Sequence, residues 1–144
     1  MQPILAPHVR TFVDSLAGLP VQPSSVWLFG SQASGRAQAG SDTDLLVFGP
    51  PGLIAAMRTA LSPPSGIDCM VVVNGDDFED PWQAKGGSLS RWNWVLKSAT
   101  EAQYLGNIFI ADEPGGTLGE SVTRQERDIR IWPSEADLQT NLAT

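Results

Sequence analysis

Two aspartates two positions apart, Asp42 and Asp44, stand at the start of an apolar run. Side chains two positions apart on a strand point to the same face, so both carboxylates are expected together. Carboxylates this close repel each other unless a divalent cation lies between them. Oxygen ligands suit Mg²⁺ or Mn²⁺, with substrate phosphates completing the coordination shell. The pair therefore predicts a metal site, and the alternative for Asp42 is a capping residue.

A third carboxylate, Asp68, interrupts another apolar run. A buried charge in a strand needs a partner or a metal. If this strand pairs beside the one at Thr43–Phe48, Asp68 can face Asp42 and Asp44. Three carboxylates could then hold two metal ions about 3.5–4 Å apart, the arrangement that catalyses in-line displacements. The alternative for Asp68 is a surface-facing strand end.

A phosphate-binding turn is predicted at Gly30 and Ser31, between an apolar run at Ser25–Phe29 and a helical turn at Ser31–Ala37. Such a turn presents backbone N–H groups and a hydroxyl to a phosphate. Glycine permits both the tight turn and a close approach of the ligand. Ser31 could equally be a simple N-cap. Lys85, in a Lys-Gly-Gly-Ser segment, could also hold an anion.

The elements that must position these residues are a small mixed sheet and flanking helices, an α/β (α+β) fold. Periodicity predicts helices at Ile4–Leu16, Leu53–Leu61 and Leu89–Leu105, and strands at Ser25–Phe29, Thr43–Phe48, Ile67–Val73 and Asn107–Ala111. We expect Asp76–Gly87 to be an acidic, solvated loop. One of Trp92 and Trp94 is expected to be exposed on the third helix. The domain is predicted over residues 1–111, with a tail over 112–144 that adds at most an edge strand at Ile129–Trp132.

Composition excludes several classes of protein. The 144 residues suffice for one domain, and the net charge of −7 opposes a duplex-coating nucleic-acid binder. A single cysteine and a single histidine exclude an internal disulfide and disfavour zinc sites and a Ser-His-Asp triad. We see no apolar run of about 20 residues and no signal peptide, so we expect a cytoplasmic protein without membrane association.

The ordered set of motifs resembles the DNA polymerase beta-type nucleotidyltransferase superfamily, most closely its small bacterial branch, the minimal nucleotidyltransferases. That branch carries Gly-Ser-x-Ala-x-Gly-x-Ala, a spacer, and Ser-Asp-x-Asp-Leu-Leu-Val. The matching residues are Gly30, Ser31, Ala33, Gly35, Ala37, Ser41, Asp42, Asp44, Leu45, Leu46 and Val47. Members often carry arginine directly before the second glycine, whereas here Ser34 holds that place and Arg36 follows Gly35.

The resemblance implies a nucleotidyltransferase fold that moves a nucleoside monophosphate, with AMP from ATP expected, to an acceptor hydroxyl and releases pyrophosphate. Gly30, Ser31, Arg36 and Lys85 are then the nucleotide-binding candidates. Asp42, Asp44 and Asp68 are then the catalytic and metal-binding candidates, with Mg²⁺ or Mn²⁺ as cofactor. Asp68 would also lower the pKa of the acceptor hydroxyl.

The acceptor is expected to be a macromolecule, because the tail is too short to form a further acceptor-binding domain. The resemblance implies a protein partner, a HEPN-domain toxin modified on tyrosine in a toxin–antitoxin pair. One alternative is a non-catalytic antitoxin that silences this partner by contact alone. Another is a toxin that modifies tRNA ends, which the acidic charge makes less favourable.

Overall fold

A computed structural model describes residues 5–30, 42–112 and 116–133 of the chain. Helix α1, Pro7–Ala17, buries an apolar stripe with helical spacing and ends at Gly18, whose N–H donates to the Asp14 carbonyl. Helix α2, Leu53–Ala60, begins after Gly52, which has a φ of 102°. In the described residues, no helix has the length and apolar character needed to cross a membrane.

Eight strands form one sheet whose spatial order is β5-β4-β3-β2-β1-β8-β7-β6. They are β1 (Ser25–Phe29), β2 (Thr43–Phe48), β3 (Ile67–Val72), β4 (Asp77–Glu79), β5 (Gly86–Ser88), β6 (Val95–Leu96), β7 (Glu101–Ala111) and β8 (Gly119–Trp132). Strands β2 and β3 are parallel, and all other neighbours are antiparallel. The α+β class with a mixed sheet is confirmed.

The two faces of the sheet bury different cores, because successive side chains of a strand alternate. Both helices cover the first core, which includes Leu45 and Val47 of β2. The second core lies on the opposite face, includes Leu46, and is rich in aromatic rings. Asp44 and Asp68 share the second face, being two positions before Leu46 and Met70.

The predicted helix over Leu89–Leu105 is wrong. The chain instead forms a short 3₁₀ helix, Ser90–Trp92, then β6 and the first half of β7. Asn93 takes a left-handed φ of 52°, which ends the 3₁₀ turn. Trp92 and Trp94 both pack against the second core, so the expectation that one of them is exposed is also wrong.

The predicted loop at Asp76–Gly87 contains the hairpin of β4 and β5. Its acidic residues are only partly solvated, because Asp80 is buried and accepts hydrogen bonds from the N–H groups of Trp82 and Gln83. Phe78 anchors the hairpin in the second core. The prediction of a solvated acidic loop is therefore wrong in this part of the chain.

Strand β8 is an interior strand, with β1 on one side and β7 on the other. The expectation of an edge strand at Ile129–Trp132 is therefore wrong. Ile131 is buried in the first core, and Asp128 is buried on the opposite face. A domain boundary after Ala111 would exclude β8, although β8 pairs with β1 and β7 inside the sheet.

Candidate active site

Asp44 and Asp68 lie side by side at the same end of two parallel strands. The register pairs Asp44 of β2 with Asp68 of β3, and both side chains are partly buried. The two strands are neighbours, which is the condition under which Asp68 was expected to face Asp44. The Lys85 ammonium lies beside this pair, with its Nζ 3.6 Å from Asp68 Oδ1. Lys85 therefore already faces a carboxylate of the candidate site.

Negative charge is concentrated at Asp44. Burial, the charges of Asp68 and Asp42 and a hydrogen bond with Asp68 together raise the pKa of Asp44 to about 6, while the charge of Lys85 opposes them. A carboxyl held in this way is costly to ionise unless a cation compensates it. Asp44 is thus the position where a bound cation would relieve the most repulsion.

The structure does not bring the three predicted carboxylates together as one metal-binding group. Within residues 5–30, 42–112 and 116–133, no three His, Cys, Asp or Glu side chains are arranged to hold a metal ion. Asp42 lies just before β2 and is exposed, and its negative charge contributes to the raised pKa of Asp44. The donors present are carboxylate oxygens under mutual repulsion, and this chemistry fits Mg²⁺ or Mn²⁺.

Gly30 closes the site from the β1 side. Its φ is 71°, and a Cβ built on it would collide with Asp44 Oδ2, so only glycine fits here. Its N–H donates to the Tyr104 hydroxyl at 3.2 Å. Ser31 and Arg36, the other predicted nucleotide-binding residues, lie outside the described residues, as does the helical turn predicted over 31–37.

Tyr104, on β7, is a site residue that the sequence analysis did not single out. Burial raises its pKa to about 12, with a contribution from the charge of Asp128, so the hydroxyl stays protonated near neutral pH. It approaches Gly30 only because β8 returns between β1 and β7. The one available signal was that it is the only tyrosine in the chain.

A model of the family described as "Nucleotidyltransferase domain" matches residues 8–113. The matched range runs from α1 to the residues just after β7, so it contains Gly30, Asp44 and Asp68, while β8 follows it. A search of curated proteins gave no match, and neither did a search of solved structures.

Proposed function

Since the chain belongs to the nucleotidyltransferase domain family, we propose that it transfers AMP from ATP to a hydroxyl of a macromolecular acceptor. The observation that carries this proposal is the placement of Asp44 beside Asp68, on adjacent strands and against a glycine turn. The pKa of about 6 for Asp44 fits a carboxylate that functions with a cation.

Asp44 and Asp68 would hold Mg²⁺ or Mn²⁺, and Asp42, whose charge already acts on Asp44, is proposed as a further ligand of the metal. When bound, the metal would supply charge stabilisation to the attacking and leaving oxygens. The acceptor oxygen forms a bond to the α-phosphorus, the bond to the pyrophosphate oxygen breaks, and the acceptor proton leaves. Asp68 serves the acceptor side, where its carboxylate attracts that proton, and Lys85 lies beside it to contact a phosphate oxygen. The backbone at Gly30 would bind the outer phosphates, and the family resemblance assigns Ser31 and Arg36 to the same role.

The acceptor we propose is a protein partner, a HEPN-domain toxin of the same cytoplasmic toxin–antitoxin pair. An exposed apolar edge supports a protein rather than a nucleic acid. Val95 and Leu96 of β6, the last strand of the sheet, are 50% and 55% exposed. The net charge of −7 also opposes a tRNA acceptor.

The same exposed edge favours a second candidate function, a non-catalytic antitoxin that silences its partner by contact. In that case β6 would matter and the carboxylates would not. The two functions differ in what they require of Asp44 and Asp68, which gives a direct test.

The test uses ATP labelled at its α-phosphate, Mg²⁺ and the HEPN-domain protein encoded beside this chain, if one is present there. The wild type should label the partner, and Asp44→Asn and Asp68→Asn should not, although both fold. Asp14→Asn is the matched control, because Asp14 is exposed on α1, across the sheet from the site. If both site variants fold, transfer no label and still protect cells from the partner, silencing by contact is correct.

A further inference from the structure

A pocket of about 470 Å³ opens beside Asp44 on the second-core face of the sheet. Its walls include Gly30, Asp44, Arg91, Trp92 and Tyr104. This volume lies in the range of pockets that enclose a small organic ligand. The pocket therefore connects the candidate catalytic carboxylate to an aromatic wall.

The aromatic wall is built from rings that contact one another. The Trp92 ring centroid lies 4.6 Å from that of Phe78, 5.7 Å from Phe29 and 5.6 Å from Tyr104. Trp92 is only partly buried, so part of the indole remains open to the pocket. A partly open indole is a platform on which a planar ring can stack.

The pocket lies on one defined side of the site. Gly30, which ends β1, forms part of its wall, whereas Asp68 and Lys85 lie on the other side of Asp44, at β3 and the β4–β5 hairpin. A nucleotide whose phosphates lie at Gly30 would therefore have the pocket beside it. The β3 side, where Lys85 would contact a phosphate oxygen, is then the side from which the acceptor hydroxyl approaches.

Arg91 adds a positive charge to the lining of an otherwise uncharged aromatic wall. Its side chain is exposed, and within the described part of the chain it forms no ion pair. Gly106 also lines the pocket and contributes no side chain to it. The lining thus combines a stacking surface, the Arg91 cation and the Asp44 carboxylate, which suits a ligand with an aromatic ring whose anionic groups bind together with a metal cation.

We propose that this pocket binds the nucleoside of the NTP, with its base stacked on Trp92. The proposal rests on the proposed function, since it assigns the nucleotide to one side of the same site. Trp92 is then a substrate-binding residue, and the affinity for the nucleotide depends on the base as well as on the phosphates.

The first experiment uses the wild-type chain and Mg²⁺. Calorimetry compares an ATP analogue that cannot be cleaved between its α- and β-phosphates with ribose 5-triphosphate, which lacks the base. Stacking of one base predicts that the analogue binds about tenfold more tightly or better. Equal affinities for the two ligands would overturn the proposal without any variant. Failure of both to bind would overturn the proposed function itself.

The second experiment replaces the Trp92 side chain, on which the base is proposed to stack. Trp92→Leu should weaken binding of the analogue about tenfold or more, and Trp92→Phe should weaken it less. Neither variant should change the affinity for inorganic tripolyphosphate, which has no base. The matched control is Trp82→Leu, because Trp82 packs against Phe12 on the helix-covered side. It should bind all three ligands as the wild type does.

Two other outcomes of the variant experiment contradict the proposal. Equal loss of affinity for the analogue and for tripolyphosphate would mean that Trp92 only maintains the site's structure. Unchanged affinity for the analogue, with a raised KM for the acceptor, would make the pocket an acceptor site. In both cases the proposed transfer of AMP would stand, because wild-type binding and transfer are measured separately.

Discussion

At the scale of the residue, Asp44 is central to the proposed chemistry and also affects the stability of the fold. The folded state holds the pKa of Asp44 at about 6, above the ordinary value of 3.8. Between these pH values the folded protein keeps a proton that the unfolded chain releases. Rising pH therefore reduces the stability across this window. Ionised Asp44 is a cost to folding, and a functional carboxylate is where such a cost is expected.

The first prediction concerns Asp44→Asn. The variant keeps the shape but loses the charge, so transfer should fall roughly a thousandfold or more. Its melting temperature should equal or exceed that of the wild type near pH 8, because no buried charge is formed. Label transfer and melting curves from about pH 4 to pH 8 check this. Transfer at the wild-type rate would show that the site is misassigned.

The second prediction concerns Gly30→Ala. The added Cβ would collide with Asp44 Oδ2, and an alanine at this position would also have to adopt a φ of 71°, which L residues rarely take. Both the stability and the transfer rate should therefore fall. Gly75→Ala is the matched control, because Gly75 has a φ of 86° and open space around it. The free energy of unfolding of the control should fall only by the cost of the strained backbone conformation, about 1 kcal/mol, and its transfer activity should be unchanged. Equal behaviour of the two variants would refute the contact between Gly30 and Asp44.

At the scale of the element, β8 contributes buried acids to the face of the sheet that carries the candidate site. It carries Asp128, 1% exposed, whose Oδ2 accepts a hydrogen bond from Trp94 Nε1 at 2.7 Å. Glu126 is buried on the same face. Burial raises the pKa of Asp128 to about 7, although the Trp94 hydrogen bond lowers it in part. Strand β8 therefore places Asp128, a carboxyl that is unfavourable to ionise, against Trp94.

The third prediction follows from that acid. Between about pH 4 and pH 7 the folded state holds a proton on Asp128 that the unfolded chain has lost. Stability should therefore fall with rising pH by about 1.4 kcal/mol per pH unit from this group. Asp128→Asn should remove that slope and be the more stable protein near pH 8, since an amide oxygen can still accept from Trp94. Urea unfolding across this pH range measures the free energy of unfolding of the wild type and of Asp128→Asn. The same dependence on pH in both proteins would contradict the prediction.

The fourth prediction concerns truncation. A chain ending at Asp112 lacks β8, so β1 and β7 lose their shared neighbour and Ile131 leaves the first core. We expect an insoluble or molten product. Circular dichroism and a melting curve check this. A soluble product with wild-type secondary structure and a cooperative transition would show that the fold does not need β8.

The elements that could be predicted are those with local signals. The stripe of α1 and the alternating or continuous apolar runs of β1, β2 and β3 depend on nearby residues, and the predicted bounds fit closely. The segment at Leu89–Leu105 has apolar spacing that mimics a helix. Its actual form depends on Trp94 binding Asp128 and on Tyr104 pairing with Glu126, partners more than 20 positions away. Single-sequence periodicity contains no information on such pairings.

The candidate site could be predicted in part for the same reason. Asp44, Asp68 and Gly30 stand in strands or turns with clear local patterns, and the neighbouring strands bring them together. Trp92 and Tyr104 reach the site only through the long antiparallel pairing of β7 with β8. Their roles could not be derived without the topology of the sheet.

At the scale of the whole molecule, the two faces of the sheet differ in what they carry. The face covered by α1 and α2 buries the first core, and the other face carries the carboxylates and the aromatic pocket. A net charge of −7 surrounds a site that itself contains carboxylates. An anionic nucleotide is then expected to bind only together with a compensating cation.

Calorimetric titration with a non-hydrolysable ATP analogue, in Mg²⁺ and then in EDTA, tests this central claim most directly. We predict binding by the wild type and by Asp14→Asn that requires Mg²⁺, and strongly weakened binding by Asp44→Asn. Equal affinity of the wild type in Mg²⁺ and in EDTA, unaltered by Asp44→Asn, would contradict the account.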